Sequence, residues 1–164
     1  MKKRVLKITV FATSFAFVEA AVVVYLRHLL GSTEPSIDKH EILLLLPGIA
    51  FLEPETAIKI MTNSTLLNVE RLREVSTIIM LAAVASLTGL RIREKIAFFF
   101  LAFGIWDIFY YVFLRLTIGW PKSFSDLDIF FLLPTPWVGS IIAPITASSL
   151  LIAGSLFYLL RAKN

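Results

Sequence analysis

The sequence predicts an all-α integral membrane protein, with four transmembrane helices arranged as two parallel two-helix repeats, each carrying a short broken or re-entrant outer segment. Three observations predict it. Hydrophobic residues make up 57% of the chain and charged ones only 17%, for a mean hydropathy of +0.81. The apolar residues fall into long blocks, as bilayer spans do. Finally, one pattern occurs twice. Lys7-Ile8-x-x-Phe11, Phe15, Glu19, Val24, Leu26-Arg27 and Gly31 return as Lys95-Ile96-x-x-Phe99, Phe103, Asp107, Val112, Leu114-Arg115 and Gly119, since 95−7, 107−19 and 115−27 all equal 88. Glu41-Ile42-x-x-Leu45-Leu46-Pro47 likewise returns as Asp128-Ile129-x-x-Leu132-Leu133-Pro134, where 128−41 and 134−47 are both 87.

Apolar helices resemble one another because few residue types are in use. The weight of the repeat therefore rests on its polar matches: Lys7/Lys95, Glu19/Asp107, Arg27/Arg115, Gly31/Gly119 and Glu41/Asp128. Arg91-x-Arg93 has an echo in Arg161-x-Lys163, but 161−91 is only 70, so the first copy carries an extra stretch near residues 50–70. One membrane domain over 1–164 follows, with repeat 1 at about 7–93 and repeat 2 at about 95–163.

The first element, about Ile8–Leu30, follows the basic start Met1-Lys2-Lys3-Arg4. A signal peptide cut near Val18-Glu19-Ala20 is the competing reading. The apolar run continues through Ala21–Leu26 and Glu19 has a partner in the second copy, so a retained span is expected. Ile42–Leu52, interrupted by Pro47-Gly48, is too short to cross, and so is Ile129–Leu133 before Pro134-Thr135-Pro136. Broken backbone at membrane depth must be covered by protein or line a cavity, so each piece re-enters the membrane or caps the bundle at the outer interface. Glu55–Leu67 suits a helix lying along the surface. The second span is about Val69–Leu90, with Glu70-Arg71-Leu72-Arg73-Glu74 in its first turns; Ile96–Ile118 and about Trp137–Leu160 are the third and fourth.

Nine of the 16 basic residues (Lys2, Lys3, Arg4, Lys7, Arg91, Arg93, Lys95, Arg161 and Lys163) lie at one set of span ends. Nine of the 12 acids, including Glu34, Asp38, Glu41, Glu70, Glu74 and Asp128, lie at the other. The excess of Lys and Arg on one side places that side and both termini in the cytoplasm, in a plasma membrane or bacterial inner membrane. The lipid bilayer is the expected partner. Nucleic acid is not, because the basic residues sit at span ends and form no soluble face. The chain has no cysteine, which excludes disulfides, thiolate metal sites, iron–sulfur clusters and Cys nucleophiles. His28 ends a span and His40 lies in a loop, an arrangement that argues against haem held by two histidines.

Glu19 and Asp107 remain inside the bilayer. Each is 12 residues beyond its lysine (19−7 and 107−95), roughly 18 Å up a core ~30 Å thick. A carboxylate there costs about 2.5–3.5 kcal/mol even on the lenient insertion scale, so it must be protonated, paired or solvated. Facing each other, the two would share a proton or hold a cation. Arg27 and Arg115, eight residues above (27−19 and 115−107), lean back toward the helix N-terminus and thus toward the acids. The competing view makes the acids glue between helices. Tyr110 and Tyr111 share the face of Asp107, and Gly104 permits close helix approach. The tyrosines either serve the carboxylate or join Trp120 and Trp137 in an interfacial aromatic belt, the role expected of Trp120.

Glu70 and Glu74 share one helix face with Arg71 and Arg73 beside them, and together with Arg27, Arg115, Glu41 and Asp128 they suit a charged chamber roofed by the broken segments. With Glu19 and Asp107 the two glutamates offer oxygens to a hard cation. A di-iron site is disfavoured because no Glu-x-x-His is present. Asn63-Ser64-Thr65 matches a glycosylation sequon. The expected function is a carboxylate/arginine site in the outer half of the bilayer, built from Glu19, Asp107, Arg27, Arg115, Tyr110, Tyr111 and Glu74. It binds or translocates a proton, a cation or a small polar solute. As a transporter so small a chain would need to form a homodimer. The alternatives are a membrane enzyme acting on a lipid or quinone at the outer leaflet, and an accessory subunit of a larger membrane complex.

Overall fold

A long apolar run in lipid satisfies its backbone only by coiling on itself, whereas short apolar runs joined by turns can pair with one another. Both outcomes occur. The computed structural model describes residues 1–31, 39–61 and 63–161; Glu34, Asp38 and Lys163 of the charge pattern lie outside the described residues. The order is α1 (Lys2–Leu30), a 3₁₀ turn (Lys39–Glu41), β1 (Ile42–Leu46), β2 (Ile49–Leu52), α2 (Thr56–Met61), α3 (Ser64–Thr88), α4 (Ile92–Ile118), β3 (Leu127–Phe131), β4 (Trp137–Ser140) and α5 (Ile142–Arg161).

Three helices, α1, α4 and α5, are long and apolar enough to cross a membrane, so the chain is a membrane protein. α3 is 25 residues long, but Glu70, Arg71, Arg73 and Glu74 lie within it. α4 is the hub, packing on α1, α5 and α3. On α1 the buried stripe Ile8, Ala12, Ala16, Glu19 and Ala20 follows the helical period, and its alanines let α4 come close. α1 and α4 end alike: Gly31 and Gly119 take left-handed φ of 65° and 69°, and their N–H groups donate to the Arg27 and Arg115 carbonyls at 3.0 and 3.1 Å. A Cβ at either position would carry the strain of that conformation.

The all-α expectation is corrected. The two segments too short to cross form a four-stranded antiparallel sheet in the order β1-β2-β4-β3. Ile, Val, Phe and Trp favour the pleated surface, and Pro47-Gly48 makes a two-residue turn with Gly48 at φ 84°. The residues from Trp137, expected to open the fourth span, are strand β4; α5 starts at Ile142 and tolerates Pro144 in its first turn. The surface helix expected over 55–67 is also interrupted: α2 ends at Met61, and Asn63 caps α3 by accepting from the Thr65 N–H at 2.7 Å. Leu132, just after β3, packs with Ala57, Met61 and Leu67, and these residues close one end of the bundle.

β2 and β4 meet at the centre of the sheet. A Cβ at Gly139 would lie 2.2 Å from the Gly48 carbonyl oxygen, a backbone atom that cannot swing aside. Gly139→Ala is expected to lower stability by about 1–3 kcal/mol, the usual cost of overpacking. Thermal unfolding in detergent checks this, with Gly154→Ala as the clash-free control: nothing lies within 4 Å of its added Cβ, and within α5 alanine should not lower stability.

Candidate functional site

Beneath the sheet a cavity of about 300 Å³ is walled by α1, α3, α4, the first turns of α5, and the strands. It brings together Glu19, Glu70, Glu74, Asp107 and Asp128 with Arg27 and Arg73, against an aromatic wall that includes Trp106, Tyr110 and Tyr111. Five carboxyls thus face two guanidiniums. The helical period explains the set on α3, where Glu70, Glu74 and Thr77 belong to one buried stripe.

The groups form three arrangements. Arg73 pairs through Nη1 with Glu19 Oε2 and through Nε with Glu70 Oε2 (2.8 Å), while the Thr77 hydroxyl donates to Glu19 Oε1 at 2.6 Å. Arg27 Nη2 donates to Asp128 Oδ1 at 3.0 Å and the Tyr111 hydroxyl to Asp128 Oδ2 at 3.1 Å. The Arg27 guanidinium also lies 3.7 Å from the centre of the Trp120 ring, a cation–π contact. Burial pushes the Asp128 carboxyl up to about 6, against the opposing pull of Arg27 and the Tyr111 hydroxyl. Glu74 receives the Leu132 N–H on both oxygens at 2.9 and 3.0 Å.

Asp107 stands apart. It is 9% exposed, and its Oδ2 accepts from the Ser148 hydroxyl at 2.7 Å. Among the described residues no cation pairs with it, and Oδ1 has no donor. Gly104 allows this contact. A Cβ there would come within 2.8 Å of the Ser148 carbonyl oxygen and of Ile152 Cγ1, so glycine lets α5 lie against α4 at this level. The Tyr110 hydroxyl, one turn above, has no hydrogen-bond partner among the described residues, and its ring stacks on Trp106 with centroids 6.3 Å apart.

Seven predicted residues, Glu19, Arg27, Glu70, Glu74, Asp107, Tyr110 and Tyr111, line this one cavity. Their pairing differs from the expected one. Glu19 and Asp107 each have a partner on a third helix, Arg73 with Thr77 and Ser148 respectively. Arg27 serves Asp128 in place of Glu19. Arg115 does not join the site: it donates to the Gly119 and Pro121 carbonyls at 2.7 and 2.8 Å and fastens the turn after α4 on the exposed side. Trp120, expected in an interfacial belt, is buried beneath Arg27. The expected hard-cation set does not converge, since no group of three or more His, Asp or Glu among the described residues could hold a metal ion.

Arg73 and Asp128, expected in a charged chamber, line the cavity, whereas sequence reasoning does not single out Thr77 and Ser148. A signal exists for Thr77, which lies seven residues past Glu70 on a charged helix face. Ser148 has none, because α5 also offers Thr146, Ser149 and Ser155.

No protein-family model, curated protein or solved structure matches the chain. Chemistry alone must therefore carry the functional reading.

Proposed function

We propose that this protein crosses the membrane four times, with both termini in the cytoplasm, and binds a small organic cation in the cavity on the opposite side. The observation that carries the reading is the charge imbalance: five carboxyls against two guanidiniums, with Asp107 left a free oxygen and no cationic partner. A buried carboxylate without a countercharge is costly in lipid, and an incoming ammonium supplies one. The aromatic wall suits the same guest through cation–π contact. The cavity's volume of about 300 Å³ falls at the lower end of small-molecule sites. A single ammonium fits this geometry better than a metal ion, which requires several converging oxygens.

Supporting the fourth crossing, α3 runs for 25 residues, roughly 37 Å of helix, beside α4. A parallel duplication is supported by the matched ends of α1 and α4 and by the symmetric strand order, in which each copy gives one inner and one outer strand. On this reading Glu19 and Asp107 stand at equal depth. Below them Ala12, Ala16, Leu81, Ala85, Phe98, Leu101 and Ala102 pack into a dry core. An apolar core thus separates the cavity from the cytoplasmic side, which favours binding over an open pathway.

The test is titration of the purified protein with ethanolamine at neutral pH, with ethylene glycol as the uncharged control. Wild type is expected to bind the amine and ignore the diol, and Asp107→Asn to weaken amine binding about tenfold or more, the value of a hydrogen bond to a charged group. Equal binding by wild type and Asp107→Asn would rule the reading out.

A further inference from the structure

We infer that the cation is the head of an amphiphilic amine drawn from the bilayer, its tail lodged in a lateral slot between α3 and α5. This rests on the cation-binding reading and adds the ligand class and its route. Among the described residues, packed side chains lie above and below the cavity. Its roof is held by the Leu132 N–H on Glu74 and by the packing of Leu132 with Ala57, Met61 and Leu67. Its floor is the apolar core of the bundle.

The walls are unequal. α1 meets α4 along much of its length, and α5 does the same from another side. The seam between α1 and α3 makes few contacts, but the Arg73–Glu19 pair and the Thr77–Glu19 hydrogen bond bolt it shut. Between α3 and α5 there is neither extensive packing nor, among the described residues, any hydrogen bond or ion pair. On the α5 side the cavity is lined by Ala143, Pro144, Ala147 and Ser148, all compact. Ala147 borders the cavity and is also exposed at the surface, so the cavity reaches the outside of the bundle there. It lies five residues into α5 (147−142), roughly 8 Å below the sheet. A surface at that depth meets hydrocarbon.

A ligand entering there must carry an apolar body, and one that stops at Asp107 must carry a positive charge. One more group specifies the guest. Trp106 lines the cavity, is only 8% exposed, and its indole N–H has no acceptor. A buried donor left unpaired is costly, and an oxygen beside the ammonium would pair with it. A long-chain amino alcohol combines all three features, with the aliphatic tail in the slot, the ammonium at Asp107 and the hydroxyl toward Trp106.

The experiment compares N-dodecylethanolamine with ethanolamine on the full chain in lipid nanodiscs, reading quenching of the intrinsic tryptophans against empty discs. Wild type is expected to bind the long-chain amine at least tenfold tighter. Ala147→Phe narrows the slot and should remove most of that advantage, weakening the long-chain amine far more than ethanolamine; Ala147→Leu should give a smaller loss of the same kind and serves if the larger ring prevents folding. Equal affinity of wild type for the two amines, or a long-chain affinity untouched by both substitutions, would overturn the slot. If instead Asp107→Asn alters binding of neither amine, the cation site itself fails, whatever the slot variants do.

Discussion

Arg73→Met is expected to destabilise the protein by about 3–5 kcal/mol, the cost of removing one partner from a buried ion pair. The magnitude follows from what is left behind. Arg73 neutralises Glu19 and Glu70, whose side chains are each only 5% exposed. Methionine fills a similar volume but offers neither charge nor donor, so two carboxyls lose their countercharge and Glu19 keeps only the Thr77 hydroxyl. The loss should also be local, because that cluster supplies the polar attachment between α1 and α3. Thermal unfolding in detergent should show a lowered transition, and hydrogen exchange should rise in α3 before α4. Combining Arg73→Met with Glu19→Gln and Glu70→Gln removes the stranded charges and is expected to restore most of the stability. A triple variant no more stable than Arg73→Met would mean that the arginine acts by packing, not charge.

That cluster also marks how far the sequence could be read. The helices α1 and α4 are legible because apolar residues predominate all the way to Gly31 and Gly119, and lipid leaves such a run no other fold. Glu19 and Asp107 are legible because an acid in an apolar run is costly wherever the helix packs. Their partners are not, since pairing depends on which helices become neighbours and on their rotation. Arg27 and Arg115 occupy matching positions, yet among the described residues only Arg27 meets an acid. Asp128 comes to it from β3, whereas Glu41, the acid at the corresponding place in the sequence pattern, pairs with Lys59 at 2.6 Å. Lys59 lies within residues 50–70, where the 87–88-residue spacing of the sequence pattern breaks. Glu41 thus has another cation, and Arg115 turns to backbone carbonyls. The strands were hidden for a different reason: runs such as Ile42–Leu46 are apolar throughout, without the alternation that marks a half-buried strand, so length and the Pro-Gly turn were the only signals.

Arg27→Met should have an effect of similar size, about 3–5 kcal/mol, but one that depends on pH. Asp128 has two partners for its carboxylate, Arg27 and the Tyr111 hydroxyl, and the substitution removes the charged one. In the wild type burial holds the Asp128 carboxyl at about 6, above its ordinary 3.8. The folded protein then takes up this proton more readily than the unfolded chain. Its contribution to stability is fully present below pH ~4, declines as pH rises toward about 6, and is level above that. Without Arg27 the carboxyl is pushed higher still, so the decline continues beyond pH 6 and the variant's deficit grows between pH 6 and 8. Denaturant unfolding over pH 4–8 measures this directly. Asp128→Asn carries no titrating group, so its stability relative to wild type should increase between pH 4 and 6. Arg27→Met combined with Asp128→Asn should lose the pH dependence specific to Arg27→Met. A deficit in Arg27→Met that stays constant from pH 4 to 8 would instead assign Arg27's contribution to its stacking on Trp120, because that contact does not depend on the protonation of Asp128.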